Sequence, residues 1–507
     1  MARFRRFTQG VLLAYLGQIV IMFAGLWLTP FLLRQLGQKS YGLWIAAQQC
    51  LIYLSLIDLG VVALLPRDIA WARGRGEIGQ ISALVSRSRR AVLLQSLVLT
   101  LLAALVWREL PVGWGELREL MALGMGAFIV SFPLRVFRAT LEGLQDLGFI
   151  GWSYLIGWTV GTVVTAGMVF HGNGLSSLAV GWAANQASDA VLCYIRLRVR
   201  FSFALTHAGA AAPIIQMLRR GLWLSLGQIA QVLTYGTDAL VIGRIFGAAA
   251  IVPYACTGKL IAALANQPQA IMRAAEPGLA EMRTASCQER LTAVTSTLGL
   301  AMLLVSGLVS CVTLAINPSF VRWWVGPQRY AGLMLSVVFT LSMLLRHINV
   351  TAIYALFAFG HERRVAISNL VDGILSTSLS ILLGWRMHSV LGVALGAVIS
   401  TACVFLFCNA PLLGRELNKS PWILFRPLLP WVWRMLPAGA VAVAITLLPG
   451  GSGLLSILAK GLLAGITYLA VMFPVAWRSP IHGYVRARLE SIGRLKGFSP
   501  RVAAATR

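Results

Sequence analysis

Seven formally charged side chains interrupt the apolar stretches of this 507-residue chain: the acids Asp58, Asp189, Asp238 and Asp372 and the bases Lys259, Arg346 and Lys460. Charge at lipid depth is expensive, so each is a candidate for function. Lys259 and Arg346 suit phosphate oxygens, arginine through its bidentate fork and lysine as a compact charge. A desolvated carboxylate can exchange a proton near neutrality or bind Na⁺. That makes Asp238 and Asp372, and nearer to helix ends Asp58 and Asp189, candidates for ion coupling or gating. Structural alternatives stand beside these: a Lys259–Asp238 pair between antiparallel spans, a packing role for Arg346, helix-end roles for Asp58 and Asp189, and snorkelling of Lys460 to the interface. Gln18 and Gln228 must face a cavity or another helix, to hydrogen-bond a polar cargo or a neighbouring helix. Arg135 and Arg138 suit either anion recruitment or topology. Pro30, Pro133 and Pro268 mark kinks or hinges.

No catalytic set stands outside the apolar stretches: there is no Ser/His/Asp arrangement, Gly-rich phosphate loop or paired-carboxylate site. The seven cysteines are scattered without a CxxC pair and the six histidines without an HxxxH pair, so neither disulfides nor a metal site is expected. No cofactor is expected beyond a coupling ion, H⁺ or Na⁺.

These residues need elements that hold them inside a membrane. The chain is 58% hydrophobic and 12% charged, against about a quarter charged in soluble domains. Apolar runs fall near residues 10–33, 41–66, 91–107, 120–134, 148–170, 176–195, 221–243, 249–270, 291–316, 331–357, 365–385, 389–412, 435–449 and 454–476. They predict an all-α polytopic membrane protein of about 14 transmembrane helices. The first run is too long for a signal peptide and lacks a small-residue cleavage site, so it reads as a retained span.

The formal net charge of +26 resolves into topology. With the N-terminus inside, alternation of the spans places basic residues on the cytoplasmic side at about four to one. Both termini are then cytoplasmic and the basic tail from Arg478 faces anionic inner-leaflet lipids. A nucleic-acid partner is not expected.

A shift of 210 lays Leu16-Gly17-Gln18-Ile19 on Leu226-Gly227-Gln228-Ile229, Arg34 on Arg244 and Gly37 on Gly247. A shift of 213 lays Leu178-Ala179-Val180-Gly181 on Leu391-Gly392-Val393-Ala394. Spans one to six therefore repeat as seven to twelve in the same orientation, a parallel repeat with a site between two lobes. The expected domains are 1–205, 206–412, and a region 413–507 holding spans thirteen and fourteen and the tail.

Leu36-Gly37-Gln38-Lys39-Ser40-Tyr41-Gly42-Leu43-Trp44, Asp58-Leu59-Gly60, the Arg138-to-Gln145 stretch, Asp238 to Gly247 with Tyr254, and Phe320-Val321-Arg322-Trp323-Trp324-Val325-Gly326 with Tyr330 together resemble the multidrug/oligosaccharidyl-lipid/polysaccharide (MOP) exporter superfamily. Within it the likeness is to the polysaccharide branch, the O-antigen-type flippases of the bacterial inner membrane. The resemblance implies a V-shaped, two-lobed antiporter-like fold. It also implies alternating-access transfer of an undecaprenyl-diphosphate-linked oligosaccharide to the outer leaflet, with the cargo and the polysaccharide polymerase machinery as partners and a monomer as the working unit. The substrate-binding candidates are then Lys259, Arg346, Arg138, Arg135, Gln18 and Gln228. A cation-coupled exporter of small molecules would want a cavity dominated by acids. A lipid II flippase would carry arginines between Gly10 and Leu33, where there are none. A polymerase or ligase would need a larger outer loop.

Overall fold

The computed structural model describes residues 2–109, 115–206, 225–234, 236–285, 288–420, 425–448 and 453–479. The chain is all-α, with no strand among the described residues. Its helices are α1 (Ala2–Leu54), α2 (Val61–Gly74), α3 (Ile78–Glu109), α4 (Gly115–Ser131), α5 (Arg135–Gly143), α6 (Leu147–Phe170), α7 (Ser176–Arg200), α8 (Asp238–Phe246) and α9 (Ala248–Ala285). There follow α10 (Gln288–Val325), α11 (Leu333–Ala358), α12 (Glu362–Met387), α13 (Val390–Val404), α14 (Ala410–Glu416), α15 (Leu429–Leu447) and α16 (Leu454–Arg478).

Eleven stretches of the described residues are helical, long and apolar enough to cross a membrane. The difference from fourteen has three sources. Spans one and two run together in α1, where only Gly37 leaves helical geometry, at φ 80° and ψ 168°. Span six is α7, whose 25 residues reach about 37 Å at 1.5 Å per residue but carry more polar groups. Span seven lies partly outside the described residues, as do the start of the repeat's Gln18 side chain and the tail from 480.

The break between α8 and α9 repeats that of α1. Gly247 has φ 87° and ψ 162°, so the two glycines aligned by the shift of 210 adopt one backbone conformation, in a region closed to side-chain-bearing residues. The helix interruption falls at Gly37 and not at Pro30, which sits inside α1. Pro133 does mark a break, in a short 3₁₀ turn Phe132–Leu134 between α4 and α5. A fourth break follows Asp58: Leu59 is left-handed at φ 46° and Gly60 at φ 72°. The Asp58 carboxylate accepts the Val62 amide at 3.0 Å, and Gln95 Nε2 donates to the Asp58 carbonyl at 2.9 Å.

The chain divides into two compact units: Met1–Val252 with Asn369–Thr377 and Gly384–Val393, and Pro253–Ser368 with Ser378–Leu383 and Ala394–Arg507. In unit 1, α6 carries small buried residues every fourth position, Ser153, Gly157, Gly161 and Thr165. This stripe lets α7 approach until a Cβ on Gly161 would lie 2.6 Å from the Gly181 carbonyl oxygen, the close packing that substitutes for hydrophobic driving force in lipid. Around it Val61, Leu65, Ile69, Val92, Leu99 and Phe132 form a core with no measurable exposure.

In unit 2 the last two helices are fastened to α10. Tyr468 donates to the Leu304 carbonyl at 2.8 Å and accepts Trp431 Nε1 at 3.1 Å, and its ring lies against Gly307. The thirteenth span starts earlier than its apolar run suggests, at Leu429, and contains Pro437.

Candidate functional site

In unit 1, α5 and α7 bring two of the expected residues together. Arg138 Nη1 meets Asp189 Oδ2 at 3.1 Å and its Nε meets Glu142 Oε1 at 3.4 Å. Asp189 also accepts Ser153 Oγ at 2.8 Å. The guanidinium lies 5.4 Å from the centre of the Tyr154 ring. Asp189 is eleven residues before the end of α7, so it sits mid-helix and not near a helix end as its sequence position suggested. The physical reason is that α7 continues through Arg196, Arg198 and Arg200 beyond the apolar run. Two carboxylates flank this one guanidinium, and its bond to Asp189 ties α5 to α7.

Arg135, one turn earlier, is different. Its Nη1 is buried without a hydrogen-bond partner among the described residues, it lies over the Phe132 ring at 5.5 Å, and Asp58 is within its electrostatic reach. Asp58 is 2% exposed and occupied as a helix cap, in keeping with the helix-end reading.

Asp238 and Asp372, far apart in sequence, reach adjoining segments of unit 1. Gly373 packs against Ala230 and Leu233, and Thr377 Oγ1 donates to the Leu233 carbonyl at 3.4 Å. Thr237, next to Asp238, meets Tyr53 Oη at 2.5 Å. Both residues interact with others in the structure, Asp372 being buried and Asp238 half-buried. Tyr53, Thr237 and Thr377 join this polar belt; hydroxyls among apolar neighbours left no signal in the sequence beyond their rarity there. Gln228 is half-buried on residues 225–234; the Gln18 side chain lies outside the described residues.

Unit 2 holds the expected deep cations. Lys259 is the twelfth residue of α9, about 16 Å along it at 1.5 Å per residue. It is exposed, with no ion pair to it among the described residues. Arg346, fourteenth in α11, is half-buried and has partners.

Lys460 corrects its expectation. It does not snorkel but is 8% exposed, its Nζ 3.4 Å from the Thr446 carbonyl and 3.5 Å from Ser319 Oγ. Thr446 lies in the last turn of α15, where carbonyls have no intrahelical partner and the helix dipole favours a cation. Lys460 closes that helix end.

Sequence reasoning passed over the neutral polar core of unit 2. His347, fully buried, sits 2.7 Å from Ser306 Oγ and 2.8 Å from the Ala265 carbonyl, joining α9, α10 and α11. Asn317 Nδ2 donates to the Thr257 carbonyl at 3.0 Å and to Ser336 Oγ at 2.9 Å. Asn409 Nδ2 donates to Asn349 Oδ1 at 2.7 Å from a π-helical turn, Phe405–Asn409. Asn within an apolar run is the signal that marks them, since amides are costly in lipid.

The fold is that of a polytopic α-helical membrane protein. A family model described as polysaccharide biosynthesis protein matches residues 122–328. No curated protein sequence matches the chain. Among solved structures, an inward-facing multidrug resistance MATE family transporter of the MOP superfamily aligns at TM-score 0.61 and 13% identity, over 79% of this chain and 96% of its own. The lipid II flippase MurJ in an inward closed conformation aligns at TM-score 0.61 and 11% identity, over 91% and 99%. A MOP superfamily transporter from Pyrococcus furiosus aligns at TM-score 0.54 and 14% identity, over 82% and 96%. The family model thus covers the middle of the chain, and the solved neighbours share its fold at 11–14% identity.

Proposed function

We propose that this protein flips an undecaprenyl-diphosphate-linked oligosaccharide from the cytoplasmic to the outer leaflet of a bacterial inner membrane by alternating access between two six-span lobes, 1–205 and 206–412. Spans thirteen and fourteen flank the second lobe, and both termini face the cytoplasm. The observation that carries the reading is Lys259: an exposed ammonium well inside a span, without an ion pair among the described residues. Such a charge is tolerable in a wet cavity and costly against lipid, and an anionic head group is the cargo it suits.

Arg346 shares the work of holding phosphate oxygens, and Arg135, with a donor still unbonded, recruits the diphosphate at the inner mouth. Gln18 and Gln228 hydrogen-bond the glycan. Arg138 and Asp189 act as a tie that gates, with Asp58 at the neighbouring helix break, and Asp238 and Asp372 couple transport to H⁺ or Na⁺. The protein works as a monomer on anionic lipid, supplying a polysaccharide polymerase on the far side.

Reconstituted vesicles carrying a fluorescent undecaprenyl-diphosphate-linked oligosaccharide test this. Wild type moves the lipid across the bilayer, and Lys259→Ala and Arg346→Ala lower the rate at least about tenfold while membrane abundance holds. Efflux of a cationic dye without lipid transfer would turn the reading to a small-molecule exporter; full-rate flipping by both variants would remove the two cations from the site.

A further inference from the structure

The first repeat ties its fourth span to its sixth through Arg138 and Asp189. The second repeat also ties its fourth span to its sixth, by other chemistry and at another depth. His361 Nε2 lies 2.7 Å from Glu416 Oε1, the side chains being 19% and 24% exposed. His361 occupies the turn between α11 and α12, and Glu416 is the last residue of α14, where span twelve ends.

The turn leaves His361 little freedom. Gly360, at φ 80°, donates to the Phe357 carbonyl at 2.9 Å, His361 N to Leu356 O at 3.0 Å, and Val365 N to His361 O at 3.0 Å. One helix is thus closed by a Schellman-type cap and the next begun on the same residue, which fixes where the imidazole projects. The approach to Glu416 is close, yet His361 Nε2 makes no aligned hydrogen bond. The contact therefore draws its strength from charge, and an uncharged imidazole in this pose would gain little from the carboxylate.

We propose that His361–Glu416 is a proton-operated clamp at the inner end of unit 2, closed when the imidazole is protonated and loosened when it is neutral. It rests on the flippase reading for its consequence, the pH dependence of inner-side opening, and on geometry alone for its existence. Arginine stays charged throughout the accessible range, so the Arg138 tie holds while the His361 clamp releases. Histidine is the side chain that changes charge between pH 5 and 8, which would give one repeat a response that the other lacks.

The other charged groups on the elements that meet there are Glu362, Arg363 and Arg364 on α12, Arg415 on α14 with Lys419 just beyond, Glu289 and Arg290 at the start of α10, and Arg273 on α9. Glu276, Glu281 and Arg283 of α9 have side chains outside the described set.

Hydrogen exchange of the full chain in nanodiscs containing anionic lipid, from pH 5.5 to 8.5 and corrected for the intrinsic rate, tests the clamp without any transport. Amides at 356–366 and 410–419 should exchange about threefold to tenfold faster at the high end in wild type. In His361→Arg they should stay protected throughout, and in His361→Gln they should be fast throughout. Amides of 135–143 should not respond in any of the three. A flat wild-type profile, or a His361→Arg profile that titrates like wild type, would overturn the clamp. Titrating exchange in a protein that flips no lipid-linked glycan would sink the flippase reading and leave the clamp standing.

Discussion

Unit 1 joins helices in the membrane with charge, and the deep interior of unit 2 joins them with neutral groups. Arg138, Asp189 and Glu142 form an ion-paired set, and Arg196 meets Asp146 at 2.8 Å nearer the end of α7. In unit 2 the corresponding work falls to His347, Asn317, Asn349 and Asn409, and the buried Lys460 reaches only neutral oxygens. A pair of charges is costly to bury and costly to split, whereas an amide or imidazole network needs only its geometry.

Four substitutions test this contrast, and the first sets a ceiling common to any close helix pair. Gly161→Leu drives a side chain into the Gly181 carbonyl and Asn185, and should cost more than about 4 kcal/mol, seen as loss of monodisperse protein after extraction. Arg138→Met strands Asp189 against one remaining donor and should lower stability by about 3 kcal/mol, with Arg138→Met/Asp189→Asn recovering at least half; thermal unfolding in detergent reads both, and additive losses would show that the pair is not a tie. His347→Leu leaves Ser306 and the Ala265 carbonyl short of a partner and should cost about 2 kcal/mol, read as a lower thermal unfolding midpoint in detergent. Lys460→Met should change stability by less than about 1 kcal/mol, because its two contacts are long and neutral. A large loss there would mean that unit 2 depends on charge as much as unit 1 does.

The spans were open to reading because lipid imposes them on composition and period. The glycine breaks at Gly37 and Gly247 were found by alignment of the chain with itself, and the structure gives both one conformation. What stayed hidden was pairing. Arg138 and Asp189 are 51 residues apart, and nothing in either neighbourhood names the other. Asp189 looked like a helix-end group because hydropathy falls before α7 ends, a boundary set by arginines that remain helical. Lys460 looked like an interfacial lysine because its helix begins only six residues earlier, yet the open carbonyls of α15 drew it inward. His347 and the asparagines were overlooked because uncharged polar residues stand out less than charges, although their hydrogen bonds cross three helices.

Gly37 and Gly247 bear one further consequence. Two sites 210 places apart along the polymer each admit a single letter of the amino-acid alphabet, since any Cβ would have to twist its helix pair out of register. Each hairpin is therefore hostage to its own codon, and a lesion at one cannot be covered by the other.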